Sequence, residues 1–195
     1  MAGQATGRIL PGLRFAAVVV LAGWLAFGLI LTLNSCTGRI AAEPFASATV
    51  SCGGQEIVVA GYTEVRRAPN IGLERFFYRL QARSSEGAAW RVVLEEWQDE
   101  PLENLRERLR SQGGTCLFFT PRSLVVMRPN GEWADRTEAV MNGAHVPPEG
   151  RLRHQVSSVS IGPDGTGQLV LAESDGETVR LETNDFGATW RGALR

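Results

Sequence analysis

From Phe15 to Leu33 the chain runs nineteen residues without a charge. As a helix rising about 1.5 Å per residue, that run spans roughly 28 Å, close to the hydrocarbon thickness of a bilayer. A buried core helix would show a polar stripe, and this run shows none. The pattern predicts a transmembrane or signal helix over 15–33, behind an n-region over 1–14. Arg8 and Arg14 precede it and only Arg39 follows closely, which places the N-terminus in the cytoplasm and the bulk of the chain outside.

Three fates of this segment stay open. It is longer than the usual apolar region of a signal peptide, which suits an uncleaved anchor. Leu33-Asn34-Ser35-Cys36 is similar to a bacterial lipobox, whose Cys is acylated and becomes the new N-terminus; Asn34 departs from the small residue usual there. Simple cleavage after Ala42 or Ala48 is the third. Residues 34–48 are rich in Ala, Ser, Gly and Thr and read as a tether.

Short apolar runs follow, separated by turn residues. Strands are expected at Glu56–Tyr62, Glu74–Ala82, Trp90–Trp97, Thr115–Thr120, Ser123–Met127, Val156–Ile161, Gln168–Ala172, Thr178–Thr183 and Thr189–Leu194. Pro129-Asn130-Gly131, Pro163-Asp164-Gly165 and Ser174-Asp175-Gly176 mark turns between them. One helix is expected. Asp99 caps it, Pro101 sits in its first turn, and Leu102, Leu105 and Leu109 form one stripe before Gly113-Gly114 ends it. The stripe packs on the protein's own sheet. The expected domain, residues 49–195, is mainly β with one flanking helix: a β-sandwich or a partial propeller of blade-like hairpins.

Composition narrows the partners. The net charge is −1, and two of the 20 basic residues but none of the 21 acids precede position 37. The expected domain is therefore mildly acidic, which argues against nucleic acid as a partner. All basic residues are Arg, which reads as genomic base bias.

There are three Cys, at 36, 52 and 116. An exported domain sits in an oxidising space, where thiol pairs persist as disulfides. Cys52 and Cys116 fall in the expected folded part and are the natural pair. Cys36 is then the odd thiol, as lipidation would leave it. The competing reading makes Cys52 and Cys116 two small buried apolar residues. No spacing matches a metal site, and no cofactor motif is present.

Thr183-Asn184-Asp185-Phe186-Gly187-Ala188-Thr189-Trp190 is the most specific pattern. Asp185 can bond the N–H groups of its own turn, Gly187 permits positive φ, Thr189 resumes the strand and Trp190 packs on the core. The segment resembles an Asp-box, Ser/Thr-x-Asp-x-Gly-x-Thr-Trp/Phe, with Thr183, Asp185, Gly187, Thr189 and Trp190 at the defining positions. In families that bear it, the box joins adjacent strands of propeller blades and lies away from the active site. Gly87-Ala88-Ala89-Trp90 and Asn130-Gly131-Glu132-Trp133 are fainter echoes, for which chance among 22 Gly and five Trp is the competing reading.

The Asp-box resemblance implies one class of function, and the small tethered β-domain suits another. A sialidase-like glycosidase would need an activated Tyr, and Tyr62 and Tyr78 lie in no matching context. His145 and His154 read as surface or packing residues, and Glu95, Glu96, Asp99 and Glu100 as a solvated strand end. A tethered binding module needs less. In layout the chain is similar to periplasmic immunity lipoproteins that neutralise type VI secretion lipase effectors. The expectation is a membrane-tethered, extracytoplasmic, protein-binding or envelope-associated domain without catalytic activity.

Overall fold

The computed structural model describes residues 39–65 and 75–192. The n-region, the uncharged segment 15–33 and Cys36 lie outside the described residues. The chain divides into two compact units. Of the unit comprising residues 1–40 and 64–72, the described part is strand β1 (Arg39–Ile40), pairing with the end of β3 (Gln55–Val65): Arg39 opposite Val65, Ile40 opposite Glu64. The larger unit comprises residues 41–63 and 73–195.

That unit is built from three four-stranded antiparallel meanders. The first runs β2 (Ala46–Cys52), β3, β4 (Phe76–Arg83), β5 (Arg91–Gln98). The second runs β6 (Leu109–Gln112), β7 (Thr115–Phe119), β8 (Leu124–Met127), β9 (Trp133–Asp135). The third runs β10 (His154–Ile161), β11 (Gly167–Glu173), β12 (Thr178–Thr183), β13 (Arg191–Gly192).

The middle meander is covered on both faces. Its strands read T-C-L-F-F and L-V-V-M, apolar runs without the alternation of a one-sided sheet, and every residue of both is buried. Cys116, Phe118, Val125 and Met127 pack with Ile57, Val59, Tyr78 and Leu80 of the first meander. Leu117, Phe119, Leu124 and Val126 pack with Val156, Val159, Leu169, Leu171 and Leu181 of the third. Cys52, closing β2, is bonded to Cys116 in β7 across a Cα–Cα distance of 6.2 Å. The bridge ties the first meander to the second.

Two expectations need correcting. The helix from Asp99 to Gly113 is a single turn, α1 (Leu105–Arg108), followed at once by β6. Asn104 before it adopts φ 52°, and Leu109 is extended at φ −100°, ψ 102°. Leu102, Leu105 and Leu109 are all buried in one core, so the stripe reports burial correctly. Leu109, however, earns its place by pairing opposite Phe118. Asp99 bonds Arg122 rather than capping a helix. Second, β2 starts at Ala46, inside the stretch read as tether. Ala48 and Cys52 point inward there, and small side chains gave little apolar signal.

Helix α2 (Thr137–Gly143) was not expected from the sequence; Val140 and Met141 are its buried face. A 3-10 helix covers Pro148–Arg153. Among the described residues no helix is long and apolar enough to cross a membrane.

The three Gly–Trp segments occupy one recurrent position. Each lies in the connection between the third and fourth strands of its meander, with Gly87 (φ 83°), Gly131 (φ 83°) and Gly187 (φ 74°) at positive φ. Trp90 and Trp190 immediately precede β5 and β13, and Trp133 opens β9.

Candidate functional site

The segment Thr183–Trp190, which resembles an Asp-box, closes on itself. Asp185 Oδ1 accepts from the Thr183 hydroxyl (2.8 Å) and the Thr189 N–H (2.9 Å), and Oδ2 accepts from the Thr189 hydroxyl (2.7 Å). The Thr183 hydroxyl oxygen accepts from the Gly187 N–H at 3.0 Å. The Ala188 N–H closes the turn onto the Asp185 carbonyl at 3.2 Å. Burial works to raise the Asp185 pKa, but these bonds outweigh it and hold the carboxyl below the usual aspartate range. Phe186 takes φ 58° and its N–H donates to the Gly165 carbonyl at 3.0 Å, joining the box to the β10–β11 turn. Trp190 is buried in the core between the second and third meanders. Each of the five box positions is thus used by the turn or the core.

The other sequence candidates are scattered. Tyr62 lies against Phe77, with ring centroids 6.3 Å apart. His154 pairs its Nδ1 with the Gly150 carbonyl at 3.0 Å, a packing role. His145 sits at φ 56° in the loop after α2. Glu95 forms an ion pair with Arg79 at 2.7 Å. Among the described residues no three His, Cys, Asp or Glu side chains gather as a metal site.

A polar cleft of about 360 Å³ lies where the three meanders meet. Its walls come from the end of β5 and the following loop (Gln98 to Glu103), from α1 (Arg108), from the β7–β8 turn (Pro121, Arg122) and from Gln155 at the start of β10. Strand register places Gln98 opposite Phe76, on the inward face. Gln98 is 5% exposed, and its Nε2 has no hydrogen-bond partner. Arg108 Nε donates to the Glu103 carbonyl at 3.1 Å, while its buried Nη1 has no partner.

One perturbed ionisable group, Arg108, lines this cleft, and two more lie behind its walls: Tyr78, bonded to Leu102, and Glu96, bonded to Thr120. Burial pushes the Tyr78 phenol up, against the opposing effects of the Leu102 N–H, which donates to its oxygen at 2.6 Å, and of Arg108. Burial pulls the Arg108 guanidinium down, against the charges of Tyr78, Glu103 and Glu107. Burial raises the Glu96 carboxyl, against hydroxyl bonds from Thr120 (2.9 Å) and Ser123 and the charge of Arg122. The Thr120 hydroxyl oxygen also accepts from the Arg122 and Ser123 N–H groups, which fixes the β7–β8 turn.

The sequence reading sets Glu96 and Asp99 aside as solvated and Tyr78 aside for want of a matching context, and it misses Gln98 and Arg108. Glu96 is partly buried on a hydroxyl, and Asp99 holds Arg122 at 3.0 Å. Comparison with protein families, with characterised proteins and with solved structures finds no match.

Proposed function

We propose that this protein is a membrane-tethered, extracytoplasmic binding module without catalytic activity, whose partner is another protein. One observation carries the reading. The most specific polar constellation in the chain, Asp185 with Thr183 and Thr189, is closed within its own turn and presents no free carboxylate to a substrate. The Cys52–Cys116 bond supports the location, because such bridges persist in oxidising compartments. The uncharged segment 15–33, or a lipidated Cys36, supplies the tether.

In this reading the three meanders are stacked blades of a partial propeller. The recurrent Gly–Trp turn between third and fourth strands supports that relation. An immunity-type role in the cell envelope fits a small tethered domain of this kind.

The test is made on the full chain in its membrane. Expression together with candidate envelope proteins, followed by in-cell crosslinking, should yield one stoichiometric protein adduct through the described domain. Release of a sugar from sialoside or other glycoside substrates by the purified chain would contradict the non-catalytic reading.

A further inference from the structure

Little chain separates the uncharged run from the fold. The Ala41 N–H donates to the Thr63 carbonyl at 2.9 Å, and the Phe45 N–H to the Gly61 carbonyl at 2.8 Å. The fold thus begins well inside the stretch read as tether. Only residues 34–41 lead from Leu33, the end of the uncharged run, to the first of these bonds. Fully extended, they reach at most about 28 Å. The headgroup layer takes up about 5–7 Å of that reach. The chain joins the first meander at the Thr63 end of β3, which register aligns with Phe76 of β4 and Gln98 of β5. A membrane anchor at 15–33, or a lipid on Cys36, therefore holds this end of the meander close to the bilayer.

Aromatic residues gather at the same end. Tyr62, Phe77 and Trp97 lie side by side in one cross-strand row, with Phe76 and Tyr78 in the rows on either side. Phe45 stands edge-on to Phe76 and Tyr78, with ring centroids 5.7 and 6.1 Å away. Further along the meander, residues 46–52, 55–60, 79–83 and 91–95 include no aromatic side chain. Core packing accounts for Phe77 and Tyr78, which are buried. It does not account for Phe45, which is 46% exposed, or for the half-buried Tyr62 and Trp97. Arg75 lies over the Trp97 ring, 4.9 Å from its centroid. Indole and phenol rings with a guanidinium beside them suit the boundary between acyl chains and headgroups, where the rings lie in the apolar layer and the polar tips reach out. Glu43, Asp99 and Glu100 flank this end, so the rings and not a positive field supply the attraction. So small a patch holds a free protein weakly. A short tether raises its effective concentration at the bilayer to the order of millimolar, at which weak insertion is enough.

Resting on the tethered reading above, we propose that the aromatic end of the first meander sits in the headgroup layer of the bilayer that anchors the chain. Phe45, Tyr62 and Trp97 enter the boundary with the acyl chains, and Arg75 faces the phosphates.

The experiment places the full chain in phosphatidylcholine vesicles, with and without bromine on the acyl carbons nearest the headgroup. Trp24→Phe removes the indole of the uncharged run from every sample. Bromine quenches an indole only at short range. Brominated lipid should quench the protein, and Trp97→Phe should abolish most of that quenching. Trp90→Phe should leave it intact, although Trp90, at the opposite end of the meander, is 38% exposed and also lies under an arginine, Arg83 at 4.6 Å. Phe45→Glu, at an exposed position, should lower the quenching of Trp97; it decides the matter if Trp97→Phe fails to fold. Quenching that survives both variants in folded chains, or that is lost with Trp90→Phe, would overturn the proposal. So would an unquenched Trp97 with crosslinks from this end to a second copy or another protein. A chain that does not float with the vesicles would overturn the tether itself, and this surface with it.

Discussion

Gly143 backs directly onto Trp190: a Cβ placed on the glycine would lie 2.6 Å from the Trp190 Cβ and 2.5 Å from its carbonyl oxygen. The last residue of α2 is thereby pressed against the last residue of the 183–190 turn. Those atoms are backbone or rooted on it, so they cannot swing aside. Gly143→Ala should therefore cost about 1–3 kcal/mol through overpacking. Gly150→Ala is the control, because its Cβ would meet Pro147 and Val146 at 3.6 Å, an ordinary contact. Denaturant midpoints of the two variants measure the difference.

Trp190 should matter more than the aspartate that positions it. Trp190→Ala removes a buried ring and should cost about 3–5 kcal/mol. Asp185→Ala should cost about 1–2 kcal/mol, discounted because the carboxylate is only partly buried. Equal losses, or a larger loss at Asp185, would mean that the turn and not the core ring holds this corner.

Acid should weaken the same corner. The folded-state pKa of Asp185 lies below its unfolded value. Its stabilising contribution is therefore complete above the ordinary aspartate range and is lost as pH falls through the folded value. Asp164, whose carboxylate accepts from the Thr166 hydroxyl and N–H, acts in the same direction. The stability gap between wild type and Asp185→Asn should narrow as pH falls below about 4. A gap that is constant in pH would contradict the assigned bonds.

Reducing the Cys52–Cys116 bond opens a loop with a sequence separation of 64 residues. Chain entropy alone assigns such a closure about 4 kcal/mol. The double variant Cys52→Ala, Cys116→Ala should unfold at clearly lower denaturant than the oxidised protein. Proteolysis of the unreduced, thiol-blocked protein should yield peptides 52 and 116 joined.

Much of the fold is legible in the sequence, and the gaps have physical causes. β12 was read at its observed bounds, Thr178–Thr183, because Leu181 and Thr183 alternate with exposed partners and turn residues flank it. β2 was missed because A-S-A-T-V-S-C buries small side chains, whose transfer from water gives a weak signal. Leu102, Leu105 and Leu109 fit a helix by spacing alone. The competing demand of Leu109 for a place opposite Phe118 is a tertiary fact that no local pattern contains. The seven-residue α2 is too short to show a period.

The turn at 183–190 is legible because its bonds all fall within a few residues of each other. The cleft is not. Gln98, Arg108, Arg122 and Gln155 come from different strands and turns and meet through strand register and the packing of separate meanders. Nothing in their spacing announces that Gln98 lacks a partner.

The central claim is that the described domain lies on the far side of a membrane from the n-region. A reporter active only outside the cytoplasm, fused after Arg195 of the full chain, tests it directly. The fusion should be active, and a cytoplasm-only reporter at the same position should be silent. Activity of the cytoplasmic reporter, with silence of the exported one, would contradict the topology and the tethered-module reading that depends on it.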